Sequence, residues 1–133
     1  MYNIIFQLIL NSFSWITGNN DMHLKNFSLF EPRDGNIRLT PAYDMMNAVI
    51  LNSKDDEELA LTLNGKKKKL KRSDFIISGQ TMGIEQKTIE RLIGKYVKLL
   101  PEMKKLIDNS FLNDRLKDKY AELITERIDR IME

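Results

Sequence analysis

Asp21 and Asn26 stand five positions apart, with His23 and Lys25 between them, in the run Gly18-Asn19-Asn20-Asp21-Met22-His23-Leu24-Lys25-Asn26-Phe27-Ser28. An aspartate followed at that distance by an asparagine is the D-x-x-x-x-N spacing of phosphoryl-transfer loops. There the carboxylate accepts or orients a substrate hydroxyl proton and the amide oxygen ligates magnesium. A second carboxylate on a later strand end completes such a metal site, and Asp44, in Pro41-Ala42-Tyr43-Asp44, fills that role. Magnesium prefers hard oxygen ligands and keeps several waters, so one carboxylate, one amide and phosphate oxygens suffice. Lys25 is suited to meet the transferring phosphate, whose charge the transition state spreads over its oxygens. His23 is suited to bond a phosphate or to brace the loop. The same residue types have plainer uses, because aspartate and asparagine populate loops by bonding to nearby backbone. One histidine as base with two acids as magnesium ligands would also serve a nuclease or hydrolase.

These residues need elements to hold them. Tyr2 to Ile16 is apolar almost all round, with Ile4, Ile5, Leu8, Ile9, Trp15 and Ile16 at helical spacing and Phe6, Leu10 and Phe13 on the other side. Such a helix is expected to be buried on every face. Thr17-Gly18-Asn19-Asn20 stops it, since glycine and asparagine tolerate a left-handed helix end. Phe27 to Phe30 and Ile37 to Thr40 read as two short strands joined through Asp34-Gly35, a strong turn signal. That hairpin returns Asp44 to the neighbourhood of Asn26.

Beyond the hairpin, Lys54 to Glu58 reads as a mobile charged loop, followed by a strand over Leu59–Leu63, a turn at Asn64-Gly65 and a polar return strand over Lys66–Lys71. The lysine run Lys66 to Lys69 reads as a solvated hairpin rather than a phosphate-binding patch. Ser73 is expected to cap a helix from Asp74 to about Gln80. Ile89, Leu92, Ile93, Tyr96, Val97 and Leu100 define an amphipathic helix from Glu85 to Leu100. Pro101 marks a break before a short helix over Glu102–Asn109. Asn113 then caps a last helix with Leu116, Tyr120, Leu123, Ile124, Ile128 and Ile131 as its buried stripe. The expected fold class is mainly α with a small β-hairpin component (α+β), as one domain over residues 1–133.

With 133 residues the chain can bury a real core. It has no cysteine, which excludes disulfides, thiolate catalysis and cysteine-based zinc sites, and its single histidine excludes a multi-histidine metal centre. Residues 1–53 carry three basic and four acidic side chains and residues 54–133 carry eighteen and fifteen, too small an excess to argue for nucleic acid. No apolar run spans a membrane and no leader opens the chain, so a cytoplasmic protein without a membrane partner is expected.

The wording around the central residues is more specific than their spacing. Gly18-Asn-Asn-Asp21-Met-His23-Leu-Lys25-Asn26-Phe-Ser28, then Leu39-Thr-Pro41-Ala-Tyr43-Asp44, resembles the G-N-x-D-x-H-x-K-N and L-x-P-x-Y-D signatures of HipA-type serine/threonine kinases, the toxins of bacterial toxin–antitoxin modules. The similarity continues into Leu61-Thr-Leu-Asn64-Gly65-Lys66 and the tail from Ser110 to Lys117. The resemblance implies the C-terminal lobe of a protein-kinase-like fold, a helical bundle around a catalytic loop. Asp21 would be its base, Asn26 and Asp44 its Mg2+ ligands, and His23 and Tyr43 neighbours of ATP. A protein substrate and a DNA-binding antitoxin are implied in the same way.

Two departures qualify it. Asn19-Asn20 replaces the usual His-Arg before the base, and Met45-Met46 follows Asp44 where Phe-Gly is usual. Nothing before Tyr2 can supply a glycine-rich loop or an ATP-binding lysine, so a missing N-terminal lobe or partner chain is expected to complete the site. Without it, one face of the first helix stays uncovered and self-association is expected. A kinase-fold remnant that acts as an interaction module is the alternative to a catalytic lobe.

Overall fold

The computed structural model describes residues 2–52 and 54–133. Helix α1 (Tyr2–Ile16) leads through the polar loop and a single 3-10 turn (Leu24–Asn26) into the antiparallel pair β1 (Leu29–Phe30) and β2 (Arg38–Leu39). A long irregular segment follows, and then α2 (Arg72–Thr81), α3 (Gln86–Asp108) and α4 (Asp114–Met132). The chain is thus mainly helical with one small sheet, as its patterning indicates.

The core forms where α1, α2, α3 and α4 meet. Leu8, Trp15 and Ile16 of α1 pack with Phe75 of α2, Ile89 and Ile93 of α3, and Ile124, Ile128 and Ile131 of α4. Trp15 and Phe75 lie with ring centroids 5.0 Å apart, a tilted aromatic pair. Tyr96 on α3 is buried, and its hydroxyl lies 2.7 Å from Ser12 Oγ and donates to the Ile9 carbonyl. Burial pushes its pKa up to about 12, against the opposing effect of the Ser12 bond. Among the described residues no helix is long and apolar enough to cross a membrane.

Helix α1 has the expected bounds but not the expected burial. Its second half is enclosed, whereas Tyr2 and Ile4 are exposed, so apolar composition on all sides does not here mean burial on all sides. Helix α3 runs unbroken through Pro101 where a break is expected. Proline inside a helix removes one backbone bond and crowds the preceding turn, at about 3 kcal/mol. The apolar stripe continues past it through Met103 and Ile107 onto the core, and that burial holds the two segments in one line.

Helix α2 is capped at Lys71, two residues ahead of the cap assigned to Ser73. The Asp74 carboxylate accepts the Lys71 N–H at 2.9 Å, and also Lys66 Nζ at 2.8 Å and Asn64 Nδ2 at 2.9 Å. A carboxylate so placed competes successfully with a serine hydroxyl for the first turn. Burial would raise the Asp74 pKa, but these donors hold it below the usual value. Asn113 caps α4 as expected, its Oδ1 accepting the Leu116 N–H at 3.0 Å.

The second hairpin contracts to one bridge, Leu63 with Lys66, across Asn64 and Gly65 at positive φ. Its lysines face acids: Lys67 meets Glu57 at 3.3 Å and Lys68 meets Asp56 at 2.5 Å. The Lys54 to Glu58 segment is therefore a partner of this hairpin. Ser53, beside it, lies outside the described residues.

Candidate active site

The polar loop starts at Gly18, the one residue type its position permits. Its φ is +74°, and a Cβ there would come within 2.6 Å of Asn47 Oδ1 and 2.7 Å of Leu123 Cδ2. The Gly18 carbonyl accepts the Ala48 and Val49 N–H groups at 3.0 and 3.2 Å. A residue three positions before Asp21 is thereby tied to residues four and five positions after Asp44. Asn19 is buried and its Oδ1 accepts the Asp21 N–H at 3.3 Å, which bends the chain into the loop.

Within the loop, His23 Nε2 lies 3.2 Å from Asp21 Oδ1, both side chains half exposed. Asn26 is buried on the 3-10 turn, and its Nδ2 donates to the Asp21 carbonyl at 3.0 Å. That bond uses the amide nitrogen and fixes which way the side-chain oxygen points. Among the described residues, no hydrogen bond to Asn26 Oδ1 is formed. Lys25 and His23 project from the exposed side of the same turn.

The hairpin returns as expected, although each strand is two residues long. Leu29 pairs with Leu39 and Phe30 with Arg38, and the Thr40 N–H donates to the Ser28 carbonyl at 2.9 Å. The register carries on to Tyr43, whose hydroxyl donates to the Lys25 carbonyl at 3.1 Å and lies 2.7 Å from Ser28 Oγ. Tyr43 therefore braces the loop across eighteen positions of sequence. Asp44 follows with φ +55°, a left-handed conformation that costs a residue with a side chain about 1 kcal/mol or more and tends to occur at functional sites. The structure thus brings Asp21, His23, Lys25, Asn26 and Tyr43 together through direct bonds. It places Asp44 next to Tyr43, with no hydrogen bond from its carboxylate to the loop among the described residues.

The contacts that fasten the loop to the rest of the chain were not legible from the motif. Asn20 Nδ2 donates to the Glu57 carbonyl at 3.0 Å, fixing the residue before Asp21 to a distant segment. Glu58, expected in a mobile loop, is buried: its Oε2 accepts Trp15 Nε1–H at 2.9 Å and the Leu70 N–H at 3.0 Å, and its Oε1 pairs with Arg130. Arg127 and Arg130 sit 4.9 and 5.0 Å from the centre of the Trp15 ring. Burial would raise the Glu58 pKa, yet the Trp15, Arg130 and Leu70 bonds outweigh it and hold the carboxyl below its usual value. Burial lowers that of Arg127, which Glu58 partly opposes. The available signal was the position of Glu58 directly before the apolar run Leu59-Ala60-Leu61.

A family model described as the HipA-like C-terminal domain matches residues 4–103. The chain belongs to that family. A Haemophilus influenzae protein named "Putative kinase" is 23% identical over 124 residues, which are 81% of this chain and 36% of that protein. Among solved structures, one titled as the HipA, HipB and operator DNA complex of a toxin–antitoxin system from Shewanella oneidensis MR-1 superposes with a TM-score of 0.76. The match has 19% identity and covers 92% of this chain and 30% of the matched chain. This HipA-like chain therefore spans about a third of the length of either relative. At that identity the structural likeness establishes the fold, and the Gly18 to Asp44 site falls wholly inside the matched HipA-like region.

Proposed function

We propose that this chain is the catalytic part of a HipA-like kinase that transfers the γ-phosphate of ATP to a serine or threonine hydroxyl of a protein. The observation that carries this reading is the Asn26 side chain, locked by its nitrogen to the Asp21 carbonyl with its oxygen left over. It gives the D-x-x-x-x-N spacing a geometry suited to a base and a metal ligand side by side. Asp21 accepts the substrate hydroxyl proton, with His23 at 3.2 Å orienting its carboxylate. Asn26 Oδ1 and Asp44 would hold Mg2+, which would supply neutralisation of the charge on the ATP phosphates. Lys25 meets the transferring phosphate from the exposed face. Tyr43 lies beside the nucleotide with its hydroxyl held by the loop.

The kinase-lobe reading of the fold rests on the same geometry together with family membership. One wall of the ATP site comes from outside this chain, so the isolated chain binds ATP weakly. A DNA-binding antitoxin is the corresponding partner by analogy with the complex containing HipB. The deciding experiment follows labelled γ-phosphate from ATP to protein with the completed kinase. Asp21→Asn, which keeps the shape but cannot take a proton, should lower transfer by about two orders of magnitude or more. Transfer at the native rate would remove Asp21 as the base, and plasmid nicking without phosphate transfer would point to a nuclease instead.

A further inference from the structure

The connection between α3 and α4 carries an aromatic side chain that the fold leaves bare. Phe111 is fully exposed, and Leu106, near the end of α3, is 71% exposed. The turn that presents Phe111 is held on both sides: Ser110 Oγ donates to the Ile107 carbonyl at 2.6 Å and accepts the Leu112 N–H at 3.4 Å, and Asn113 caps α4 two residues on. An aromatic side chain on a turn already fixed loses little further freedom when a surface closes over it, which favours its use as a binding anchor. Beside it lies a hollow of about 360 Å³, lined by Phe13 and Thr17 of α1, Met103 and Leu106 of α3, Tyr120 of α4, and Ser110 and Leu112 on either side of Phe111. Glu102 is the one charged side chain among the described residues that line it. A dry apolar cavity of about 150 Å³ accepts benzene, so this hollow has room for a phenyl ring and part of the chain that carries it.

We propose that the occupant of this hollow is Phe111 of a second copy of the chain, with a two-fold axis seating each phenylalanine in the hollow of the other copy. Two observations choose a second copy. The bare aromatic and the hollow are both apolar and agree in size, so one chain supplies both halves of the contact. They also lie on one patch, because the residues flanking Phe111 line the hollow, and a two-fold contact requires a patch that complements itself. Such a contact closes with two copies and leaves neither half free for a third. Each phenylalanine buries about 150–250 Å². Even with Leu106 added from each copy, the contact stays below the roughly 800 Å² per partner of a standard stable interface. The dimer is therefore reversible, with a Kd of about 1–100 μM. Thr17 lines the hollow and directly precedes Gly18, so the contact reaches the residue from which the candidate loop departs. The proposal does not depend on the phosphoryl-transfer reading.

The test is sedimentation equilibrium of the chain from about 1 μM to about 500 μM, a range that brackets the expected Kd. Two variants then separate the two halves of the contact. Phe111→Ser removes the projecting ring, and Leu106→Arg fills the hollow with a side chain that Glu102, one helical turn earlier, holds in place. Each variant alone should weaken self-association roughly tenfold or more without lowering the melting temperature, since both native side chains are exposed. An equal mixture of the two should associate more tightly than either alone, because the Phe111 of one and the open hollow of the other make one intact contact. A chain that stays monomeric at the highest concentration, a dimer that survives Phe111→Ser, or a mixture no tighter than its components would overturn the proposal. A dimer broken instead by Tyr2→Asp would give the contact to the exposed first turn of α1 and overturn it as well. In a longer polypeptide carrying this region, slowed amide exchange over residues 106–112 that does not depend on concentration would give the hollow to another part of the same chain, and the second copy would be excluded.

Discussion

Asn26 and Gly18 divide the work of the loop: one bonds its side-chain amide to the Asp21 carbonyl, the other lets the chain turn out of α1 to reach it. The Asn26 bond to the Asp21 carbonyl could be anticipated in kind, because polar residues at fixed spacing advertise a loop chemistry. The role of Gly18 could be anticipated only in part. Its left-handed backbone follows from its place at a helix end, but the contact with Asn47 and Leu123 depends on residues 29 and 105 positions away. Gly18→Ala should destabilise the chain by about 2 to 4 kcal/mol, combining the left-handed penalty with overpacking. A urea titration of the isolated chain reads this as a lower midpoint. An unchanged midpoint would mean that Asn47 and Leu123 move aside freely and do not hold the loop.

At the scale of elements, the regular pieces were readable where periodicity and caps agree, as in α4 with Asn113, and where Asp34-Gly35 turns the first hairpin. Three readings shifted for physical reasons. Pro101 did not end α3 because the stripe beyond it is buried, Asp74 displaced Ser73 at the start of α2, and the second hairpin shrank to one bridge. The docking of β2 on α1 was not legible, because a single asparagine in an apolar helix gives no hint of its partner. Asn3 acts as a short mimic of a neighbouring strand, with its amide oxygen and nitrogen meeting both backbone groups on the outer edge of β2. Asn3→Ala removes both bonds. The Leu39 amide should then exchange about fivefold faster, as expected for losing roughly 1 kcal/mol of local protection. The melting temperature should barely move, since the hairpin lies outside the main core. An unchanged Leu39 rate would show that pairing with β1 alone fixes the strand.

Over the whole molecule, the loop is tied to the helical core through Glu58, where Trp15 of α1, Arg130 of α4 and the Leu70 backbone converge on one buried carboxylate. A charge run read locally places such a residue in water, and only the folded chain, with Arg130 seventy-two positions away, gives it partners. The folded Glu58 pKa lies below its ordinary value of 4.5. The unfolded chain therefore takes up the proton first as pH falls. The contribution of Glu58 is fully present above about pH 4.5 and is lost as pH drops through the lower folded value. Glu58→Gln leaves Arg130 and Arg127 without their shared anion, and breaking one side of a buried pair costs about 3 kcal/mol or more. The variant should thus be strongly destabilised at pH 7 and much less so, relative to the native chain, at pH 3. Paired urea titrations at the two values measure the difference, and using the difference cancels the acid sensitivity of Asp74 and the other carboxylates. Equal destabilisation at both pH values would show that shape, not charge, is what Glu58 supplies at the junction of α1 and α4.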